Sequence, residues 1–168
     1  MDGLSGHAAT DAPVLHTDQS YTVAAWARWN GGIGPRTVFA QDGTQISGFF
    51  LTCRNDPSGR PKWSLMNRNI DSTSSSSRTV YGSDCIANAW VHLAAVQDVN
   101  TQKLSLYVNG QLSGTVSAPT PWSADGVFTV GRSRYGVLAD FFPGDIDRVR
   151  AWQGALGDAD IAALFAEA

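Results

Sequence analysis

Apolar positions along this chain recur at a spacing of two, in short runs separated by Gly, Asn, Asp and Pro. That period is the side-chain alternation of β-strands, and the separators are turn formers. The pattern predicts strands near residues 20–29 (SYTVAAWARW), 36–41, 48–54 (GFFLTCR), 62–67 (KWSLMN) and 78–81. Further strands are expected near 90–99 (WVHLAAVQDV), 103–108 (KLSLYV), 111–117, 127–132 and 144–152. Leu104, Leu106 and Val108 alternate up to Asn109-Gly110, a pair that tolerates the positive φ values of a type I′ turn, so a tight hairpin is predicted there. Residues 90–99 are apolar on both faces, as in a central strand covered on both sides. Residues 68–77 (RNIDSTSSSS) read as a polar, flexible loop between strands.

Only the last stretch, GDADIAALFAEA, reads as a helix. Asp158 is placed to cap its N-terminus, Asp160 suits the positive end of the dipole, and Ile161, Leu164 and Phe165 form one apolar stripe. Many short strands with one terminal helix predict an all-β fold, a two-sheet antiparallel β-sandwich with a short C-terminal helix.

The last strand carries a chemical question. In FFPGDIDRVRAW, strict alternation puts Ile146, Arg148, Arg150 and Trp152 on one face and Asp147, Val149 and Ala151 on the other. Asp147 would then share the core side, where an ionised carboxylate is costly unless it is ion-paired, hydrogen-bonded or holding a metal.

Composition narrows the function classes. The chain has 168 residues, enough for one domain with a full core, is 43% hydrophobic and 16% charged, and carries a formal net charge of −3. Its ten arginines are scattered, so no basic arm points to a nucleic-acid partner. No apolar run approaches the roughly 20 residues of a membrane span. MDGLSGHAAT lacks the blocks of a signal peptide, so a signal for export would lie outside this chain. Cys53 and Cys85 can form one bridge closing a large loop, or remain two buried thiols. The bridge is the expectation, and it implies an extracytoplasmic setting, secreted or on the cell surface.

The runs YTVAAWARW, TVFAQDG, GFFLTC, WVHLAAVQDVNTQKLSLYVNGQLSGTV, FTVGRSRYG and FFPGDIDRVRAWQGALGDADIAAL together resemble the strands of laminin G-like domains, in order. These belong to the concanavalin A-like jelly rolls, and the resemblance is especially to those of secreted actinobacterial proteins. The resemblance spans about residues 15–168 and rests most on W-x-H-L…Y-V-N-G and P-G-x-I-D-x-V-R. It implies a jelly-roll domain over 1–168, lacking the first strand that such domains carry ahead of the segment matching MDGLSGHAAT. The chain is then a trimmed piece of a longer protein, or a strand comes from elsewhere.

The family hosts lectins, adhesion modules, hydrolases and lyases, so the fold does not choose among them. Related jelly rolls often carry a structural Ca²⁺. By that resemblance Asp147 would supply carboxylate oxygen, with Asp2 and Gly3 nearby, a hard-oxygen set suited to calcium. The alternative has Asp147 paired with an Arg or accepting backbone hydrogen bonds.

A laminarinase-type site needs two glutamates, and fourteen of the fifteen acidic residues here are Asp, the sole Glu being Glu167. A lyase-type site would draw on His92, Tyr107, Tyr135, Arg132 and Arg134, but His92 sits mid-strand as a buried, hydrogen-bonded histidine would. A non-catalytic recognition module remains, binding carbohydrate or another cell-surface ligand and joined to other domains. Sugars are held by aromatic faces ringed with planar polar groups. Trp122 and Tyr135 are the expected platforms, with Phe141 and Phe142 beside them, and Arg134, Asn67 and Asn69 the hydrogen-bonding groups. The competing readings are that Trp122 and Phe142 only cap the core, that the module contacts protein partners or neighbouring domains, and that it is a lyase or hydrolase. Trp26, Trp63, Trp90 and Trp152 are expected in the core.

Overall fold

A computed structural model describes residues 1–118 and 121–167. In chain order the strands are β1 (Ala8–Ala9), β2 (Tyr21–Trp29), β3 (Arg36–Asp42), β4 (Ser47–Asn55), β5 (Pro61–Arg68), β6 (Ser77–Asp84) and β7 (Trp90–Asp98). They continue as β8 (Lys103–Val108), β9 (Gln111–Ser117), β10 (Phe128–Val130), β11 (Ser133–Tyr135), β12 (Val137–Ala139) and β13 (Gly144–Gln153), and a helix, α1 (Asp158–Ala166), follows. Two antiparallel sheets, ordered β1-β10-β3-β4-β5-β6 and β13-β2-β7-β8-β9, stack face to face, and β11-β12 form a separate hairpin.

Period-two alternation sends one side of each strand between the sheets. Val23, Phe49, Leu51, Leu65, Leu93 and Leu106 meet there with Trp63 in one continuous core. Each such side chain contributes about 1.5–3 kcal/mol by leaving water. Asn109 and Gly110 have φ of 51° and 75°, the expected type I′ pair between β8 and β9. Where the free edges β6 and β9 meet, Gly114 is required, because a Cβ there would lie 2.7 Å from the Tyr81 carbonyl oxygen.

The predicted two-sided burial of residues 90–99 has a specific cause. Val91, Leu93 and Ala95 face the core between the sheets. Ala94 and Val96 face the other way, against Ala24, Tyr107 and the fully buried Ile161 of α1. The helix start differs from expectation. Gly157 occupies the cap position and its N–H donates to Asp160 at 3.1 Å, while Asp158 accepts from the Tyr107 hydroxyl at 2.6 Å.

β13 departs from strict alternation. Its register with β2 slips between Asp147 and Arg150, with Arg148 in the left-handed region at φ 50°. This bulge keeps Ile146, Val149 and Ala151 together on the core side and leaves Asp147 exposed. The premise of a core-side Asp147 therefore falls: Asp147 Oδ1 accepts the Arg148 N–H at 2.8 Å, at the surface.

Cys53, in the core side of β4, is bridged to Cys85, with Cα atoms 6.3 Å apart. The tryptophans divide. Trp63 is in the core and Trp29 buried beside it; Trp26 stacks on Phe165 of the helix; Trp152 packs under the same helix. Trp90, expected in the core, is 44% exposed with the Arg28 guanidinium over its ring. Loop 69–76, expected to be flexible, is pinned: the Asp71 carboxylate accepts the N–H groups of Thr44, Gln45 and Ile46 at 2.8–2.9 Å.

Candidate functional site

The side of the six-stranded sheet away from the core is where unusual chemistry collects. With Phe49, Leu51 and Cys53 inward, alternation turns Phe50, Thr52 and Arg54 of β4 outward; on β5, Met66 and Arg68 turn the same way. Phe50 and Met66 stand directly opposite each other in the β4–β5 register. With Ile46 they form a small apolar floor, against which Trp122 packs. The β11–β12 hairpin folds over this face through the Ile46–Tyr135 bridge, turning at Gly136 with φ 73°. Tyr135 is held in place by its hydroxyl, which donates to the Thr73 carbonyl at 2.8 Å. Between hairpin and sheet lies a groove of about 390 Å³.

Two arginines lean into this groove from opposite ends of the floor. Arg54 Nη1 reaches Met66 Sδ at 3.6 Å. The Arg68 guanidinium lies 5.9 Å from the Phe50 ring and 5.6 Å from the Tyr135 ring, a cation–π position between two aromatics. Arg68 Nη1 donates to the Ser75 carbonyl at 2.8 Å. Neither arginine has a carboxylate within 4.0 Å among the described residues, and the Nε of each is buried with no acceptor. Burial pushes the Arg68 pKa down, and the positive charge of Arg54 pushes it the same way. Asp140, at the edge of the groove, is half-buried; burial raises its carboxyl pKa against the pull of Arg36 and Arg54.

Of the residues singled out from sequence, Tyr135 forms a wall of the groove and is 47% exposed. Trp122 is half-buried against the same floor. Arg134 borders the site, with Nε 3.5 Å from Asp42, whose carboxylate is already held by the buried Arg132 at 2.6 Å. Asn69 is exposed at the start of the loop, next to Arg68 and Arg78. Asn67 points the other way: it is 4% exposed and donates to Gln97 across the core at 3.0 Å, so it lies outside the groove. Phe142 is fully buried in the core, and Phe141 sits beside His7, away from the groove. Sequence reasoning missed Arg54, Arg68, Phe50 and Met66. The signal was their alternation with inward residues, hidden in GFFLTCR because both faces of that run are apolar.

The residues of a lyase-type set are spread over both sheets. His92 and Tyr107 lie under the helix on the five-stranded sheet, while Arg132 and Tyr135 are on the six-stranded side. His92 is buried as expected, but its Nδ1 has no hydrogen-bond partner; burial, then nearby Arg150, lowers its pKa.

A larger open cleft of about 540 Å³ lies at one end of the sandwich, beside Trp90 and Leu112. Three of its polar side chains are already engaged within the protein. Asp84 pairs with Lys62 at 2.7 Å, Asn109 accepts the His92 N–H at 3.0 Å, and Ser113 accepts the Ser83 N–H at 2.9 Å. The smaller groove is the better candidate because neither Arg54 nor Arg68 has a carboxylate partner among the described residues.

Asp2, Gly3 and Asp147 do not gather into one cation site. Asp2 bridges to Pro143, four positions along the chain from Asp147 and so about 13 Å away along an extended strand. Its Oδ1 accepts the N–H groups of Leu4, Ser5 and Gly6 at 2.7–2.9 Å, contacts that hold its pKa far below the usual carboxylate range. A carboxylate oxygen ringed by three donors is already satisfied, so these three residues do not fit a shared calcium centre.

None of the curated proteins matches the chain in sequence. Among solved structures, a heptameric SAP-like pentraxin from Limulus polyphemus superposes with a TM-score of 0.72 at 15% identity, covering 98% of this chain and 79% of that one. The CBM40 of the Ruminococcus gnavus IT-sialidase, bound to α2,3-sialyllactose, gives 0.67 at 17% identity, covering 88% and 83%. Domain 4 of a GH43 extracellular arabinanase from Geobacillus stearothermophilus, in complex with arabinotriose, gives 0.68 at 18% identity, covering 98% and 74%. At these identities the likeness establishes the two-sheet jelly roll alone. A family model for laminin G-type domains matches residues 2–162, and the chain belongs to the concanavalin A-like lectin/glucanases superfamily.

Proposed function

We propose that this chain is a carbohydrate-binding module that holds its glycan in the groove between the β11–β12 hairpin and the outer side of the six-stranded sheet. The observation that carries this reading is the groove itself: an exposed Tyr135 ring beside two guanidinium groups whose Nε atoms find no acceptor and which have no carboxylate partner among the described residues. An aromatic face with planar donors around it is what a sugar ring and its hydroxyls require. The fold relatives add support, since two of them are described with sialyllactose and arabinotriose bound. The reading is non-catalytic, and it places the module in a secreted or surface protein, attached to other domains. The Cys53–Cys85 bridge supports that setting. No helix among the described residues is long and apolar enough to cross a membrane.

The test is a glycan array followed by calorimetric titration of the best ligand. Tyr135→Ala removes one face of the groove and is expected to weaken binding about 3- to 10-fold, the range of an aromatic contact. Unchanged affinity in Tyr135→Ala would move the site elsewhere, the end cleft beside Trp90 being the next place to look.

A further inference from the structure

We infer that the glycan is acidic, and that its carboxylate seats between Arg54 and Arg68. The inference rests on the carbohydrate-binding reading above and adds the chemical class of the ligand. Most exposed cations on a protein are neutralised by water and need no explanation. These two differ in direction and in surroundings. They start at opposite ends of a floor formed by Phe50 and Met66, yet both side chains lean towards its middle. Like charges separate unless something holds them, and here the holding contacts are uncharged: a thioether for Arg54, and two aromatic faces and the Ser75 carbonyl for Arg68.

Among the described residues four of the ten arginines have a carboxylate within 4.0 Å, and Arg36, Arg54, Arg60, Arg68, Arg78 and Arg148 have none; of these six, Arg54 and Arg68 both line the groove and both bury an Nε without an acceptor. Arg132 and Arg134 share Asp42, Arg28 has Asp145, and Arg150 has Glu167. Asp140 is near enough to Arg54 to be influenced by it, but turns its carboxylate to the Ser133 hydroxyl at 3.0 Å. The groove thus carries local positive charge on a chain whose net charge is −3. An incoming anion would complete the pairing that the fold leaves open. A carboxylate is planar, with two oxygens spaced to match guanidinium N–H pairs, whereas a neutral sugar hydroxyl can accept one N–H but neutralises neither charge. Tyr135, already over Arg68, offers the ring face against which the attached sugar would lie.

The experiment uses the intact chain on an array of uronate- and sialate-bearing oligosaccharides, each printed beside its carboxyl-amidated form and beside neutral and sulfated glycans. Hits are titrated by calorimetry. The acid form is expected to bind at least about 10-fold more tightly than its amide, and Arg54→Gln to cut acid binding about 10- to 100-fold, the value of a charge-assisted contact. Arg54→Gln should leave the Tm unchanged or raised, because removing one of two like charges relieves repulsion. Arg68→Lys keeps the charge and loses the fork, and should weaken binding with the fold intact. Equal binding of acid and amide would overturn the acidic ligand while leaving carbohydrate binding standing. Binding of sulfated glycans alone would overturn the carboxylate. A Tm fall in Arg54→Gln alongside the lost binding would make Arg54 structural and sink the assignment. Silence across the whole array would overturn the carbohydrate reading and this one with it.

Discussion

Asn67 and Arg68 are neighbours on β5, and the pleat gives them opposite roles. Asn67 is turned into the core, where it donates to Gln97 and ties the two sheets together; Arg68 is turned out over Phe50. Removing a partner from a buried hydrogen bond leaves the other group desolvated, at a cost of about 1–3 kcal/mol. Asn67→Ala is therefore expected to lower the Tm by several degrees, read by calorimetry, with glycan affinity unchanged. A loss of affinity at constant Tm would return Asn67 to the site. Amide side chains serve cores and sugars alike, so residue type did not distinguish these roles. Strand phase did, and it was readable from the inward Leu65 two positions earlier.

At the scale of elements, the strands that carry strong alternation were legible, and those shaped by the rest of the fold were not. β2 and β7 occupy the positions their patterns predict, as does the Asn109-Gly110 hairpin. β11 and β12, three residues each, lie in a stretch too short for a period to register, yet they form the wall of the groove. The β13 bulge was equally hidden, because an inserted residue in a left-handed conformation leaves no mark when that residue is Arg148. The cystine ties β4 to the segment after β6 across a sequence separation of 32. Constraining a loop of that size in the unfolded chain contributes about 3–4 kcal/mol. Replacing Cys53 and Cys85 together by serine should cost roughly that much, measured by urea unfolding. Mass spectrometry of the native protein under non-reducing conditions should show no free thiol.

For the whole molecule, the arrangement leaves one side of the sandwich covered by α1 and the other open as a groove. The side chains nominated for calcium end up apart, with Asp2 spent on the N-terminal loop and Asp147 on its own bulge. Chelator-stripped protein is accordingly expected to keep its Tm when millimolar Ca²⁺ is added. A rise of several degrees would show that a calcium centre forms from other oxygens.

The sequence by itself determined the all-β sandwich, most strand positions, the terminal helix and, for any internal bridge, its only two partners. These follow from local periodicity, turn chemistry and a choice of only two thiols. Tertiary structure alone decided which outward residues share a surface. Arg54 and Arg68 line one groove because β4 and β5 pair in one particular register, and Tyr135 joins them because a short hairpin folds back across the sheet. Convergence of that kind is a property of pairing between distant strands, and no period within a single strand encodes it.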